Sequence, residues 1–258
     1  MQCVSVQRTG RHAVLALNLP EKRNPISTEM RTALLAALKE LEHDPGVRAV
    51  VITGTGPAFC SGLDLAAFAE QQQQPIESQR ADAQAIADFF ATIYGYAKPT
   101  LAALNGPAVA GGAGLALLCD ITFMSHEAWL SFGEVKIGFV PALVGVYLIR
   151  LAGPKLSRDL LISGRKMTAD EAFQCGLAQR VLPSHELLSA AEAYAEEIAR
   201  NGPEAVKQTK KLILQAEHLS LDAALTEAIE LNAAARLTSE CREGVSAFLT
   251  KRSPGWLA

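Results

Sequence analysis

Asn105-Gly106-Pro107-Ala108-Val109-Ala110-Gly111-Gly112-Ala113-Gly114-Leu115-Ala116-Leu117-Leu118-Cys119-Asp120 is the stretch on which the reading of this chain turns. Polar punctuation gives way to glycines, then to an apolar run that predicts a helix from about Gly112. Gly111 and Gly112 leave backbone N–H groups open to close approach, and a helix start adds a partial positive charge beside them. Such an end can hold an anion or an oxyanion. The same glycines would equally let a buried helix pack tightly against its neighbours. Residues 100–104 ahead of the stretch and 121–125 after it read as buried strands, so strand, glycine loop and helix alternate.

Working outward, residues 49–53 form an apolar run of the kind buried on both faces, leading into Gly54-Thr55-Gly56-Pro57. Short β-prone runs at 4–6 and 13–17 flank Gly10-Arg11 as a hairpin. Ser27 is placed to cap an amphipathic helix over 28–42, which Asp44-Pro45-Gly46 ends. Gln71-Gln72-Gln73-Gln74-Pro75 reads as a mobile connection, followed by a helix over 76–94. Past the opening stretch, 132–141 is expected as strand and turn, with helices over 142–152 and 156–163 on either side of Gly153-Pro154. Thr168 and Glu171 stand at capping-box spacing for a helix over 168–175, and 181–182 reads as a short strand. Beyond residue 187 the strands stop, and 188–200, 203–216, 221–236 and 239–248 read as four helices. The fold class expected is α/β, with a core over 1–190 and a helical region over 191–258.

At 258 residues, 49% hydrophobic and 20% charged, the chain can bury a large core. Its net charge of -3 argues against a nucleic-acid or anionic-membrane partner. The cysteines (Cys3, Cys60, Cys119, Cys175, Cys241) are odd in number and lack CxxC spacing, so neither a disulfide framework nor a metal site is expected. With no basic-then-apolar leader at the N-terminus, the expected location is cytoplasmic. Gly54-Thr55-Gly56-Pro57-Ala58-Phe59 begins like a dinucleotide fingerprint but puts Phe59 at the third glycine. The opening loop lacks the Gly-Lys-Ser/Thr ending of a phosphate-binding loop, and neither a Gly-x-Ser-x-Gly elbow nor a His-Glu-x-x-His pair occurs. The five histidines and the Lys207, Lys210, Lys211 group read as surface residues.

A second loop, Phe59-Cys60-Ser61-Gly62-Leu63-Asp64-Leu65, also follows a buried strand and offers backbone N–H groups. The two loops, with Arg23-Asn24-Pro25, Lys98-Pro99-Thr100, Cys119-Asp120, Glu134-Val135-Lys136-Ile137-Gly138 and Pro141, Gly176-Leu177, and Glu243-Gly244 with Lys251-Arg252, resemble the crotonase superfamily of enoyl-CoA hydratases and isomerases over nearly the whole chain.

That resemblance implies a ββα spiral core with a C-terminal helical trimerisation subdomain. It also implies an oxyanion hole made by the N–H groups of Leu63 and Gly111 on an acyl-CoA thioester, and an acid/base at Glu134. Proton transfer next to a thioester passes through an enolate, so fixed donors aimed at its oxygen stabilise what the reaction creates. Glu134 lies among apolar residues, which should raise its pKa. The resemblance puts the CoA along Arg23, Asn24 and Pro25 and along Cys60, Ser61 and Gly62, beside Asp64 and Gly112, with Lys251 reaching its phosphates across a subunit boundary. CoA is then part of the substrate, no separate cofactor is needed, and a homotrimer or homohexamer is expected. Asp64 and Asp120 look structural, as loop or cap partners.

Family hydratases commonly carry a second glutamate, where this chain has Gly114. A single carboxylate can serve a hydratase, as in the bacterial 3-methylglutaconyl-CoA hydratases the chain most resembles. It can also serve a Δ3,Δ2-enoyl-CoA isomerase, and a non-catalytic acyl-CoA-binding scaffold is the remaining alternative. Arg80 and Arg150 are candidates, by charge alone, for holding a distal carboxylate.

Overall fold

Continuous apolar runs make the strands, and glycine or polar stops set their ends. In the computed structural model, which describes residues 3–257, β1 (Val4–Thr9) and β2 (His12–Leu17) pair antiparallel. β3 (Ala49–Gly54), β4 (Thr100–Leu104), β6 (Ile121–Ser125) and β9 (Arg180–Leu182) continue the sheet in parallel, in the order β1-β2-β3-β4-β6-β9. A smaller sheet holds β5 (Ala108–Val109), β7 (Trp129–Ser131) and β8 (Lys166–Thr168), and Cys60 bridges onto Ala108 at its edge. Each turn of chain therefore gives one segment to each sheet before a helix: β3 then Cys60, β4 then β5, β6 then β7. This repetition is the ββα spiral.

The helices follow in chain order: α1 (Thr28–His43), α2 (Leu65–Gln71), α3 (Ile76–Tyr94), α4 (Gly111–Leu117), α5 (Ala142–Ser163) and α6 (Ala169–Gln174). Then come α7 (Ser184–Ala199), α8 (Pro203–Ala216), α9 (Leu221–Arg236) and α10 (Ser239–Leu249). Ser27 caps α1 through the Met30 N–H, and Thr168 with Glu171 closes the capping box expected for α6. Alternate residues of the strands face opposite cores. Val50 and Ile52 join the main core with Leu34, Leu38 and Phe89, while Ala49 and Val51 face Leu187, Ala191 and Ala195 of α7.

Three expectations are revised. The expected division at 190/191 falls inside α7, which packs on β2, β3, β4 and β6; the helices clear of the sheet begin at Pro203. Residues 132–141 form no strand: the strand comes earlier, at Trp129–Ser131, and a 3-10 turn spans Gly133–Ile137, closed by Gly138 at φ 73°. The glutamine run is a stitched turn, because Gln71 Nε2 donates to Ser78 O (3.2 Å) and Gln79 Nε2 to Gln74 O (3.1 Å).

Candidate active site

The Cys60 loop lies between the Arg23-Asn24-Pro25 turn and β5, tied to both by backbone hydrogen bonds. Ser61 N–H donates to Arg23 O (2.9 Å), Ile26 N–H to Gly62 O (2.7 Å) and Val109 N–H to Cys60 O (2.9 Å). Gly112 is required by close approach: a Cβ there would stand 2.5 Å from Cys60 O. Gly62 takes φ 86°, and a Cβ on it would meet Val109 O at 2.7 Å. Ala110 is held at φ 52° by its N–H bond to Ser131 O (2.7 Å), a strained conformation for alanine immediately before α4. Gly111 is the first residue of α4, so its N–H has no acceptor within the helix. Among the described residues, neither that N–H nor the Leu63 N–H donates to a backbone carbonyl.

Leu63, Gly111 and Glu134 line one cavity of about 340 Å³, whose walls include Phe90, Phe139, Val140 and Val144. A second space of about 350 Å³ meets it at Leu63, Phe68, Phe139 and Glu134 and runs past Ser61, Ala110, Trp129 and Lys166. The Phe68 and Phe139 rings, 4.9 Å apart, stand where the two adjoin. Glu134 is held in the 3-10 turn, whose backbone is pinned by Phe139 N–H on Glu134 O (3.0 Å). Its Oε2 is buried with no hydrogen-bond partner. Burial raises its pKa above the usual carboxylate range, partly offset by a bond from its own backbone N–H.

Other expected positions hold the loops together. Asn24 is fully buried; its Oδ1 accepts from Leu19 N (2.8 Å), and its Nδ2 donates to Thr55 O (2.9 Å) and Ala58 O (3.0 Å). Pro25 is buried beside it, while Arg23 is exposed. Cys60 is also buried, and desolvation pushes its thiol up to about 12, so it packs as a neutral group. These two side chains therefore face the protein interior. Asp64 caps α2, accepting from Ala66 N (3.0 Å) and Ala67 N (3.4 Å). Asp120 accepts from Thr100 N (2.7 Å) and Lys210 Nζ (2.7 Å), so Lys210 is no surface lysine. Lys251 is exposed just beyond α10 and lines neither cavity that contains Glu134. Arg80 and Arg150 do not line them either.

Gly114 is buried within α4, and a Cβ on it would meet Val144 Cγ1 at 2.5 Å. The room a second carboxylate would need is filled by valine. Residues missed by sequence reasoning include Phe68, Gln71, Gln79, Asp82, Ile86 and Phe90, all lining the 340 Å³ cavity. From Gln79 to Phe90 these lie on α3 at spacings of three and four, a helical face that was legible as such. Nothing in the sequence marked it as a cavity wall rather than as core.

A spiral fold that lines one cavity with two uncommitted backbone donors and a half-buried carboxylate whose Oε2 is unpartnered can polarise a carbonyl and move a proton beside it. The comparisons with known proteins agree. The family model described as enoyl-CoA hydratase/isomerase matches residues 9–258. A Thermus thermophilus protein named "Putative enoyl-CoA hydratase" is 48% identical over 95% of this chain and 97% of its own length. The 2,3-dehydroadipyl-CoA hydratase of Escherichia coli is 33% identical, covering 96% of each chain. The crystal structure of an enoyl-CoA hydratase from Mycobacterium smegmatis superposes with a TM-score of 0.92 at 31% identity, covering 99% of each chain. The chain belongs to the enoyl-CoA hydratase/isomerase family, with the crotonase fold, and is an enzyme of that family.

Proposed function

We propose that the protein adds or removes water at the α,β double bond of a short acyl-CoA thioester, with Glu134 as its single acid/base and 3-methylglutaconyl-CoA as the acyl type. The observation that carries this reading is the buried, unpartnered Oε2 of Glu134 in the cavity shared with Leu63 and Gly111. In hydration, the Glu134 carboxylate takes a proton from water as the water oxygen bonds to the β-carbon. The double-bond electrons move through the α-carbon onto the thioester oxygen, held by the N–H groups of Leu63 and Gly111. Glu134 then gives its proton to the α-carbon as the carbonyl re-forms. Reversal eliminates water. Each oxyanion donor would supply about 2.7–4 kcal/mol of barrier lowering.

In this reading CoA is part of the substrate and no further cofactor is required. The enzyme works in the cytoplasm; among the described residues no helix is long and apolar enough to cross a membrane. It assembles as a trimer or a dimer of trimers through α8–α10, whose Ile213, Ile229, Phe248 and Leu249 are exposed on the single chain. Lys251 of one protomer then reaches the CoA phosphates bound to a neighbour.

The test is incubation with 3-methylglutaconyl-CoA, crotonyl-CoA and a 3-enoyl-CoA, followed by ultraviolet absorbance and product analysis. Hydration of the first at the highest kcat/KM is expected. Turnover of the 3-enoyl thioester alone would make the enzyme an isomerase. Binding of every thioester without turnover would make it a scaffold.

A further inference from the structure

Gln71, Gln72, Gln79 and Asp82 make part of the wall of the Glu134 cavity polar, and its chemistry points to one feature of the substrate. We infer that Arg31 binds a carboxylate at the distal end of the acyl chain, an assignment that rests on the hydratase reading above. Arg31 lies on α1 and is only 8% exposed. Its Nη2 donates to Asp82 Oδ1 (3.0 Å) and Thr28 Oγ1 (3.2 Å), whereas Nε and Nη1 have no partner among the described residues. A largely buried guanidinium whose two uncommitted nitrogens stay open to the adjoining space is suited to receive an anionic partner.

Arg31 lines a space of about 100 Å³ that shares Leu63, Phe68, Gln71 and Asp82 as walls with the 340 Å³ cavity. The cation and the acid/base therefore stand on either side of a boundary made of these four residues. Among the described residues, no other lysine or arginine lines either space. Gln71 and Gln79 cannot substitute, because the side-chain N–H donors of Gln71 are spent on Ser78 and those of Gln79 on Gln72 and Gln74, and Gln72, which also lines the cavity, carries no charge. What the amides of Gln71 and Gln79 leave free are acceptor oxygens, which repel a carboxylate. Asp82 engages only Nη2 of Arg31, and its carboxylate competes with a second anion for the guanidinium. The planar fork still offers Nε and Nη1 to a second carboxylate.

Equilibrium binding of glutaryl-CoA and butyryl-CoA tests this without turnover, since both are saturated and one ends in a carboxylate. Glutaryl-CoA is expected to bind about tenfold tighter or more, and Arg31→Gln should collapse that ratio toward one. Arg80→Gln, on the exposed side of α3, should leave it unchanged. Equal binding of the two thioesters by the wild type overturns the assignment, as does a preference that survives Arg31→Gln. Should Arg31→Gln fail to fold, Asp82→Asn carries the test. Removing the competing carboxylate should raise the ratio, and a ratio that stays or falls overturns the assignment. Hydration of crotonyl-CoA is assayed alongside. Its absence, with that of every other enoyl thioester, sinks the hydratase reading; hydration with equal binding sinks only the role of Arg31.

Discussion

Desolvation, only partly offset by the Glu134 backbone N–H, makes the ionised form of Glu134 costly, and that cost shows in stability as well as in rate. The folded pKa lies above the unfolded one, so the folded state binds its proton more tightly. The associated stability is present below the ordinary glutamate pKa and is lost as pH rises through the raised value. Glu134→Gln escapes that loss, so the variant should melt higher than wild type at neutral pH and converge with it in acid, as read by calorimetry. The same variant should lose about 10²–10⁴-fold in kcat. The wild-type pH–rate profile should show an acidic limb displaced above the usual carboxylate range. Gly114→Glu meets Val144 Cγ1 within 2.5 Å of where its Cβ must stand, so alone it should destabilise the protein. Overpacking of this kind costs about 1–3 kcal/mol. Val144→Ala in the same chain should restore much of the loss in a urea titration, and only that pair can show whether a second carboxylate speeds crotonyl-CoA hydration.

At the scale of elements, α2 is the weakest part of the site. None of its residues is buried, and it is fixed by its Asp64 cap and by Phe68 against Phe139. Asp64→Ala should cost about 1 kcal/mol of local helix stability. Because α2 carries Phe68 and Gln71 into the cavity, the expected signature is a raised KM and faster amide exchange over 65–71, with little change in the global melting temperature. Helix α4 is the opposite case: all of its residues are buried. Its start is fixed by the strained Ala110 and by Gly112 on the Cys60 carbonyl, which gives the Gly111 N–H a rigid mount. Rigid donors cost no reorganisation when charge develops on an oxygen.

Across the whole molecule, the helices beyond the sheet are joined to it at few polar points. Lys210 of α8 is 8% exposed and donates to Asp120 and to the Lys98 carbonyl (3.2 Å), at the ends of β4 and β6. Lys210→Met should cost about 1.5–3 kcal/mol, measured by denaturant midpoint, by leaving Asp120 without its cation. Phe248, 83% exposed, tests assembly. Phe248→Asp should shift sedimentation from oligomer to monomer if α8–α10 form the contact. Much of this architecture was legible in the chain, because strand and helix periodicities are local: residues 76–94, 100–104, 121–125, 203–216 and 221–236 fold with the bounds their patterns predict. Leu63, Gly111 and Glu134 were reached through the resemblance that the glycine loops and the 134–141 motif carry, and the structure brings the three to one cavity. The sequence by itself thus determined the order and bounds of many strands and helices, and through its motifs the fold family, because both are written in local patterns. Only the tertiary structure decided that Asn24 and Cys60 turn inward, that Val144 occupies the space beside Gly114, and that Arg31 of α1 meets Asp82 of α3. Those are contacts between segments distant along the chain, and packing in three dimensions chooses them.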